Sequence, residues 1–366
     1  MQFTNNTSET TILNIIKKNL LSFFTTKQAT KLRGISREVL DTVQNYSWND
    51  DVPVDAKFIN KWLISFPKAK NVCIDIISDE DSELLTNLNI PKIKIRCGNN
   101  ITNKTFSNLR GLPIHTLNIS HCRNITDKAF TNLKGIHTLN MNGCEQITHK
   151  AFKNLVGIHT LKMKECYKVT NEAFKYLKGI HTLKMNECYL ITHEAFQHLT
   201  GIKELSIHEC TQITDEAFVH LRGIQKLDMG HCWRITDAAF VNLKGIQKLE
   251  MFYCVDITSA AFEHLKGIQY LNICSCEKLT DDGFKHLEGI KTIIMNCCKK
   301  VTNKAFEHLN SLVKLDVSEC PKITDAIFAN LNKLIEVDVN SCKRINVETL
   351  KAKGFRNNGF NFIKQI

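Results

Sequence analysis

The chain is predicted to fold as an α/β solenoid, and three observations predict it. Eleven cysteines, from Cys122 through Cys144 and Cys166 to Cys342, recur at an unbroken spacing of 22 residues. A Thr follows four residues after each cysteine from Cys122 to Cys320, a Phe eight after and a Leu eleven after. Each unit also opens on alternating apolar and polar residues. Self-similarity at a fixed period of this length means stacked copies of one supersecondary unit, none of which buries its apolar face alone.

One unit explains the rest. In Ile136 to Gly157, Leu139 and Met141 alternate with Thr138, Asn140 and Asn142, the period-two signature of a short strand with one buried face. Ala151, Phe152 and Leu155 then gather on one side of a short helical turn. Thr148 stands before that turn as an N-cap, and Gly157 closes it where the backbone turns left-handed. Stacked strands make a parallel sheet, with the turns on the opposite side.

The array frays at both ends. Val72 to Ile77 reads as the strand of an irregular first repeat, and Ile93 to Cys97 begins the next, with one extra residue before Ile101 and Thr102. Pro113 marks a further insertion. At the far end Ser311 and Lys333 replace the glycine, Asn346 replaces the threonine, and Phe360 to Ile363 reads as a closing strand.

The repeated pattern I/L-x-x-L-x-M/I-x-x-C-x-x-I-T resembles the leucine-rich repeat, in its cysteine-containing subtype, over roughly Phe66 to Ile345. The resemblance implies a horseshoe with short parallel strands on its concave face. A 22-residue unit is short for that subtype, so the convex helix is expected to shrink to one or two turns or a 3₁₀ segment.

Before residue 51 the period vanishes. Leu21, Phe24, Ala29, Leu32, Ile35 and Val39 lie at helical spacing, and Trp48 follows, which reads as a set of short helices too small to stand alone. Ser22-Phe23-Phe24, then Leu32-Arg33-Gly34-Ile35-Ser36-Arg37, then Trp48 resemble an F-box in order. The opening Leu-Pro of that motif is replaced by Ile12 to Ile16, and Val39 stands where a tryptophan is usual. The resemblance implies an adaptor-binding face that includes Leu20, Leu21, Phe24, Leu32 and Ile35, gripping a Skp-family adaptor of a cullin ubiquitin ligase. The plain alternative is a helical cap on the array. The expected organisation is an F-box-like segment at 1–50, a connector with the first irregular repeat at 51–95, the repeat array at 96–345 and a C-terminal cap at 346–366.

Composition narrows the function classes. The net charge is +11, from 48 basic and 37 acidic residues, but both signs alternate through every repeat without a basic stripe bearing aromatics, which argues against nucleic acid. No apolar run reaches membrane-spanning length and the first residues form no signal peptide, so neither membrane nor secretion is expected. Fifteen cysteines without a CxxC pair read as reduced core thiols in cytoplasm or nucleus. His115, His137, His159 and His181 share one repeat position, and His198, His220, His264, His286 and His308 another. Duplication accounts for both ladders, so no metal and no cofactor are expected. No nucleophile–base pair or phosphate loop stands apart from the repeat, and an enzyme is not expected.

Exposed strand positions are where a solenoid individualises. The middle repeats diverge most, and the expected partner surface comprises Tyr167, Tyr189, His208, Asp228, Trp233, Glu250, Phe252, Tyr253, Tyr270, Asn272 and Ile294, an apolar centre with a charged rim. The leading reading is a substrate-recognition subunit of an SCF-type ligase, monomeric outside the complex, whose target the sequence does not name. The alternative is a free-standing repeat scaffold or inhibitor.

Overall fold

The computed structural model describes residues 21, 24–32, 34, 37–49, 51–85, 88–359 and 361–364. The chain divides into two compact units, Met1–Gln146 and Ile147–Ile366.

In the first unit, helices Thr26–Leu32 and Arg37–Asn45 precede the strands. Leu21, Ala29, Val39, Val43, Trp48, Phe66 and Ala69 form one buried cluster, with Phe24, Leu32, Tyr46 and Trp62 packed against it. Trp48 is its centre. Its indole donates to the Val43 carbonyl at 2.8 Å, and its ring meets Phe66 edge-on at 5.5 Å. The small helical segment therefore leans on residues beyond 50, as its size requires. Strands Pro53–Asp55, Asn71–Ile76, Lys92–Cys97, Ile114–Asn118 and Thr138–Asn140 then pair in chain order, all parallel. The register slips between Ile93 and Lys94, where His115 is the extra residue introduced after Pro113.

The second unit is the regular one. Nine three-residue strands, from Thr160–Lys162 to Glu336–Asp338, stack in parallel at one strand per repeat. Strand Phe362–Lys364 then pairs antiparallel with Glu336–Asp338, and Phe355–Asn357 pairs antiparallel with it. This terminal hairpin covers an edge that would otherwise present unpaired backbone groups. Phe360 lies outside the described residues.

The turns opposite the strands are 3₁₀ helices of about six residues, such as His149–Asn154 and Asp237–Asn242. A 3₁₀ helix rises about 2.0 Å per residue against 1.5 Å for an α-helix. It spans the same height with fewer residues, which is what a 22-residue period leaves room for. Phe152, Phe174, Phe196, Phe218, Phe240, Phe262, Phe284 and Phe306 are all fully buried beneath these turns. Gly157 sits at φ +83° with open space around it, confirming the left-handed stop.

Thr148, Thr236, Thr258, Thr302 and Thr324 each accept a hydrogen bond from the amide two residues on, as an N-cap does. The residue after that threonine does more. Asp237 accepts both the amide and the hydroxyl of Thr258, at 2.8 and 2.5 Å, one repeat later. Asp215 holds Thr236 and Asp281 holds Thr302 in the same way. Where Asn replaces Asp, as at Asn171, the amide of Thr192 still donates to Oδ1 while Nδ2 donates to the hydroxyl, whose direction reverses. His149 and His193 occupy the same position, each with Nδ1 against the next repeat's threonine. A polar ladder thus ties repeat to repeat beside the phenylalanine core.

The cysteines form a second ladder. Cys188, Cys210, Cys232, Cys254, Cys276, Cys298, Cys320 and Cys342 each donate Sγ–H to the carbonyl 25 residues earlier, at 2.9–3.3 Å. All fifteen cysteines are free thiols. Burial pushes the Cys188 thiol up to about 12 and the Cys122 thiol up to about 11, away from the reactive thiolate.

Candidate interaction surface on the strand face

Each of the nine parallel strands of the second unit buries its middle residue and leaves its two ends half exposed, except that Ser206 is buried and Lys226 exposed. The parallel register aligns these ends into two rows. One runs Glu204, Lys226, Lys248, Tyr270, and the other Ser206, Asp228, Glu250, Asn272, Ile294. Ser206 is the smallest residue of its row, and a recess of about 180 Å³ opens around it, walled by Lys184, Glu204, Asp228 and Glu250. The Ser206 hydroxyl lies 2.8 Å from Asp228 Oδ2 and 2.5 Å from Asn186 Oδ1. Lys248 pairs with Glu250 at 2.8 Å while lying 4.4 Å over the Tyr270 ring. The hydrogen bond it donates to Glu250 holds its ammonium above the ordinary lysine range. Burial pushes the Tyr270 phenol up, and the neighbouring Glu250 charge adds to this.

Beside the rows, the chain turns before each repeat cysteine through a residue with positive φ. Glu187, Glu209, His231, Tyr253, Ser275 and Glu319 all take φ of 55–60°. At this position consecutive repeats stack side chain on side chain. Tyr253 lies parallel to His231 at 4.5 Å, and Phe252 leans on both His208 (5.1 Å) and His231 (5.5 Å). Gly230 makes that lean possible, because a Cβ there would come within 2.5 Å of the Phe252 ring and 2.9 Å of His208 Nδ1.

The structure therefore brings His208, Phe252 and Tyr253 into one cluster and Asp228 and Glu250 into the recess beside it, with Tyr270 under the Lys248 ammonium. Asn272 accepts from the Cys274 amide at 3.2 Å, and Ile294 is a half-buried strand residue. Tyr167 and Tyr189 form a separate parallel pair at 5.9 Å. Trp233 and Tyr253 are each 49% exposed, whereas Phe252 is largely occupied by its two histidine neighbours. Phe252 thus serves the fold as well as the surface. Sequence reasoning missed His231 and Glu209, which lie in the left-handed position rather than on a strand. The repeat offset, one residue before the cysteine, is the signal that would have found them.

The first histidine ladder stacks ring on ring. His159 and His181 stack at 4.6 Å, and His181 sets its Nδ1 3.1 Å from the Thr182 hydroxyl. His115 and His137 stack likewise, and burial with nearby Lys92 lowers the His115 imidazole below its ordinary range.

Of the expected adaptor-binding residues, Leu20 and Ile35 lie outside the described residues. Leu21 is 2% exposed inside the Trp48 cluster, and Phe24 and Leu32 are partly buried against it. Leu21 is buried within that cluster, so its side chain is not presented to a partner while the cluster is intact. Among the described residues the large apolar side chains the first unit exposes are Phe58, at 62%, and Ile64, at 74%, followed by Ile77 and Leu84. Phe58 and Trp62 line a recess of about 380 Å³ with Thr26, Lys27 and Val52, and the Trp62 indole N–H is buried with no acceptor among the described residues.

A solenoid with an individualised strand face is a binding scaffold, and its family is shown by comparison. The family described as the BspA type leucine rich repeat region matches residues 80–181, 168–291 and 233–361, in six copies. The matches span more than half of the chain, which belongs to the leucine-rich-repeat family. The matching description is the BspA type, where the residue pattern pointed to the cysteine-containing subtype. No curated protein matches the sequence. Among solved structures, the fold is similar to the Rad7 and Elc1 complex of yeast, with TM-score 0.55 at 15% identity, covering 95% of this chain and 96% of that one. An internalin of Listeria monocytogenes is similar with TM-score 0.55 at 18% identity, over 85% of this chain and 94% of that one. The Toll–Spatzle complex of Drosophila gives 0.53 at 12% identity, over 79% and 46%. Among the described residues no helix is long and apolar enough to cross a membrane.

Proposed function

We propose that this repeat scaffold is the substrate-recognition subunit of an SCF-type ubiquitin ligase, acting in cytoplasm or nucleus. Its N-terminal helices dock a Skp-family adaptor, and the strand face between Ser206 and Tyr270 holds the target protein. The observation that carries the reading is the helical cluster that Trp48 and Phe66 join ahead of the repeats, the order an F-box followed by repeats would take. The match to the Rad7–Elc1 complex along nearly the whole chain supports it, since there too a chain of this fold occurs together with a second protein. The ladder of reduced thiols supports the compartment.

The adaptor contact falls on the recess lined by exposed Phe58 rather than on buried Leu21. The intact chain should co-purify with a Skp-family adaptor, and Phe58→Asp should abolish this without unfolding the repeats. A second reading, the free-standing scaffold, rests on the same cluster acting as a cap over the first repeats. It is the outcome if the folded chain ignores the adaptor at micromolar concentration.

A further inference from the structure

His208, Glu209 and His231 come from two adjacent repeats and belong to neither histidine ladder. Glu209 and His231 hold the same left-handed position, each at φ 57°, one repeat apart. Parallel stacking sets such equivalents about 4.8 Å from one another. His208 would ordinarily point away from its neighbour, as alternate strand residues do. The left-handed turn at Glu209 cancels that alternation and sets His208 Nε2 3.0 Å from Glu209 Oε1. One ligand atom from each of the three residues lies within 4.8 Å of the other two.

The surroundings hold the rings in place. Tyr253 covers one face of His231, and Phe252 buttresses both imidazoles through the gap left by Gly230. Among the residues two before a repeat cysteine, Gly230 is the one glycine, where the others carry Ser, Asn, Lys, His, Phe or Cys. The stacked ladder pair His159 and His181, by contrast, sets each Nδ1 against a threonine hydroxyl.

We propose that His208, Glu209 and His231 form a site for a divalent transition metal ion of the zinc class. Two neutral imidazoles and one carboxylate are borderline donors suited to Zn²⁺, and less so to Mg²⁺ or Ca²⁺, which prefer an all-oxygen set. Three protein ligands leave one tetrahedral position open, for water or for a side chain of a bound protein. The site lies on the strand-face side of the array, beside the recess at Ser206, so a metal there would join partner to scaffold. The site's existence is independent of the adaptor reading.

The test uses the full chain, stripped with a chelator and titrated with Zn²⁺ by calorimetry and with Co²⁺ by absorption near neutral pH. The expected result is equimolar binding, with cobalt bands free of thiolate charge transfer. Binding should be lost in His231→Asn and Glu209→Gly, two changes that keep a residue tolerant of the left-handed backbone. Zinc should also protect His208 and His231 of the unaltered chain from diethyl pyrocarbonate, a readout that needs no variant. Absence of stoichiometric zinc binding, binding unchanged in both variants, or a thiolate-dominated cobalt spectrum would each overturn the proposal.

Discussion

Replacing Asp237 by Ala removes both acceptors of Thr258 and leaves the fold otherwise intact. The Asp237 carboxylate receives the Thr258 amide at 2.8 Å and its hydroxyl at 2.5 Å, both half-buried. A hydrogen bond to a charged group contributes about 1.5–3 kcal/mol when buried. Water can replace part of each bond here, so about 1 kcal/mol apiece is the working value, or about 2 kcal/mol for Asp237→Ala. Asp237→Asn should cost under about 0.5 kcal/mol, the range of an ordinary surface change. The reason is that Asn171 already makes both bonds to Thr192, with the hydroxyl reversed. Repeat arrays depart from two-state unfolding, so the assay should be local: amide hydrogen exchange at Thr258. Two kcal/mol corresponds to roughly 30-fold faster exchange in the Ala variant, and the Asn variant should stay near the original rate. Ala exchanging at the original rate, or Asn behaving like Ala, would refute the ladder as the link between repeats.

Three further outcomes follow from the same packing. Phe218→Ala, at the centre of the buried phenylalanine stack, should cost about 3–5 kcal/mol by cavity formation, read in a denaturant titration. Asp79 accepts hydrogen bonds from Thr102 and Thr105, which outweigh burial and hold its carboxyl below the ordinary range. Its stabilisation is therefore present above the unfolded-state pKa and lost as pH falls through the lower folded value. Asp79→Asn should flatten that acid limb of the stability–pH curve. Trp233→Ala should leave the melting temperature unchanged and weaken target binding by at least about 2 kcal/mol. Phe252→Ala should lower both, because Phe252 also packs on His208 and His231.

Much of the fold was legible because the repeat wrote it ten times over. Leu161, Phe174 and Cys188 are buried where alternation and spacing placed them, and Thr148 and Gly157 cap and close their turn as expected. The ladder after the threonine was not legible, since Asp, Asn and His all perform it with different atoms and no single letter repeats. Nor was the left-handed residue before each cysteine, which is Glu, His, Tyr, Ser or Cys in all repeats but one, where Gly143 supplies the glycine that such a backbone usually signals. Phe252 was read as a surface ring because strand alternation carries its position outward. The missing side chain of Gly230, one repeat away, lets it pack on His208 and His231 instead. Leu21 was read as a contact because other members of its buried cluster, such as Phe66 and Ala69, lie far along the chain.

The most direct test of the central claim is a binding titration of the intact chain with a purified Skp-family adaptor. The account predicts a stoichiometric complex at micromolar concentration that is lost in Phe58→Asp while the repeat array keeps its circular dichroism. A folded chain that shows no binding at these concentrations would contradict the ubiquitin-ligase role and leave the scaffold to act alone.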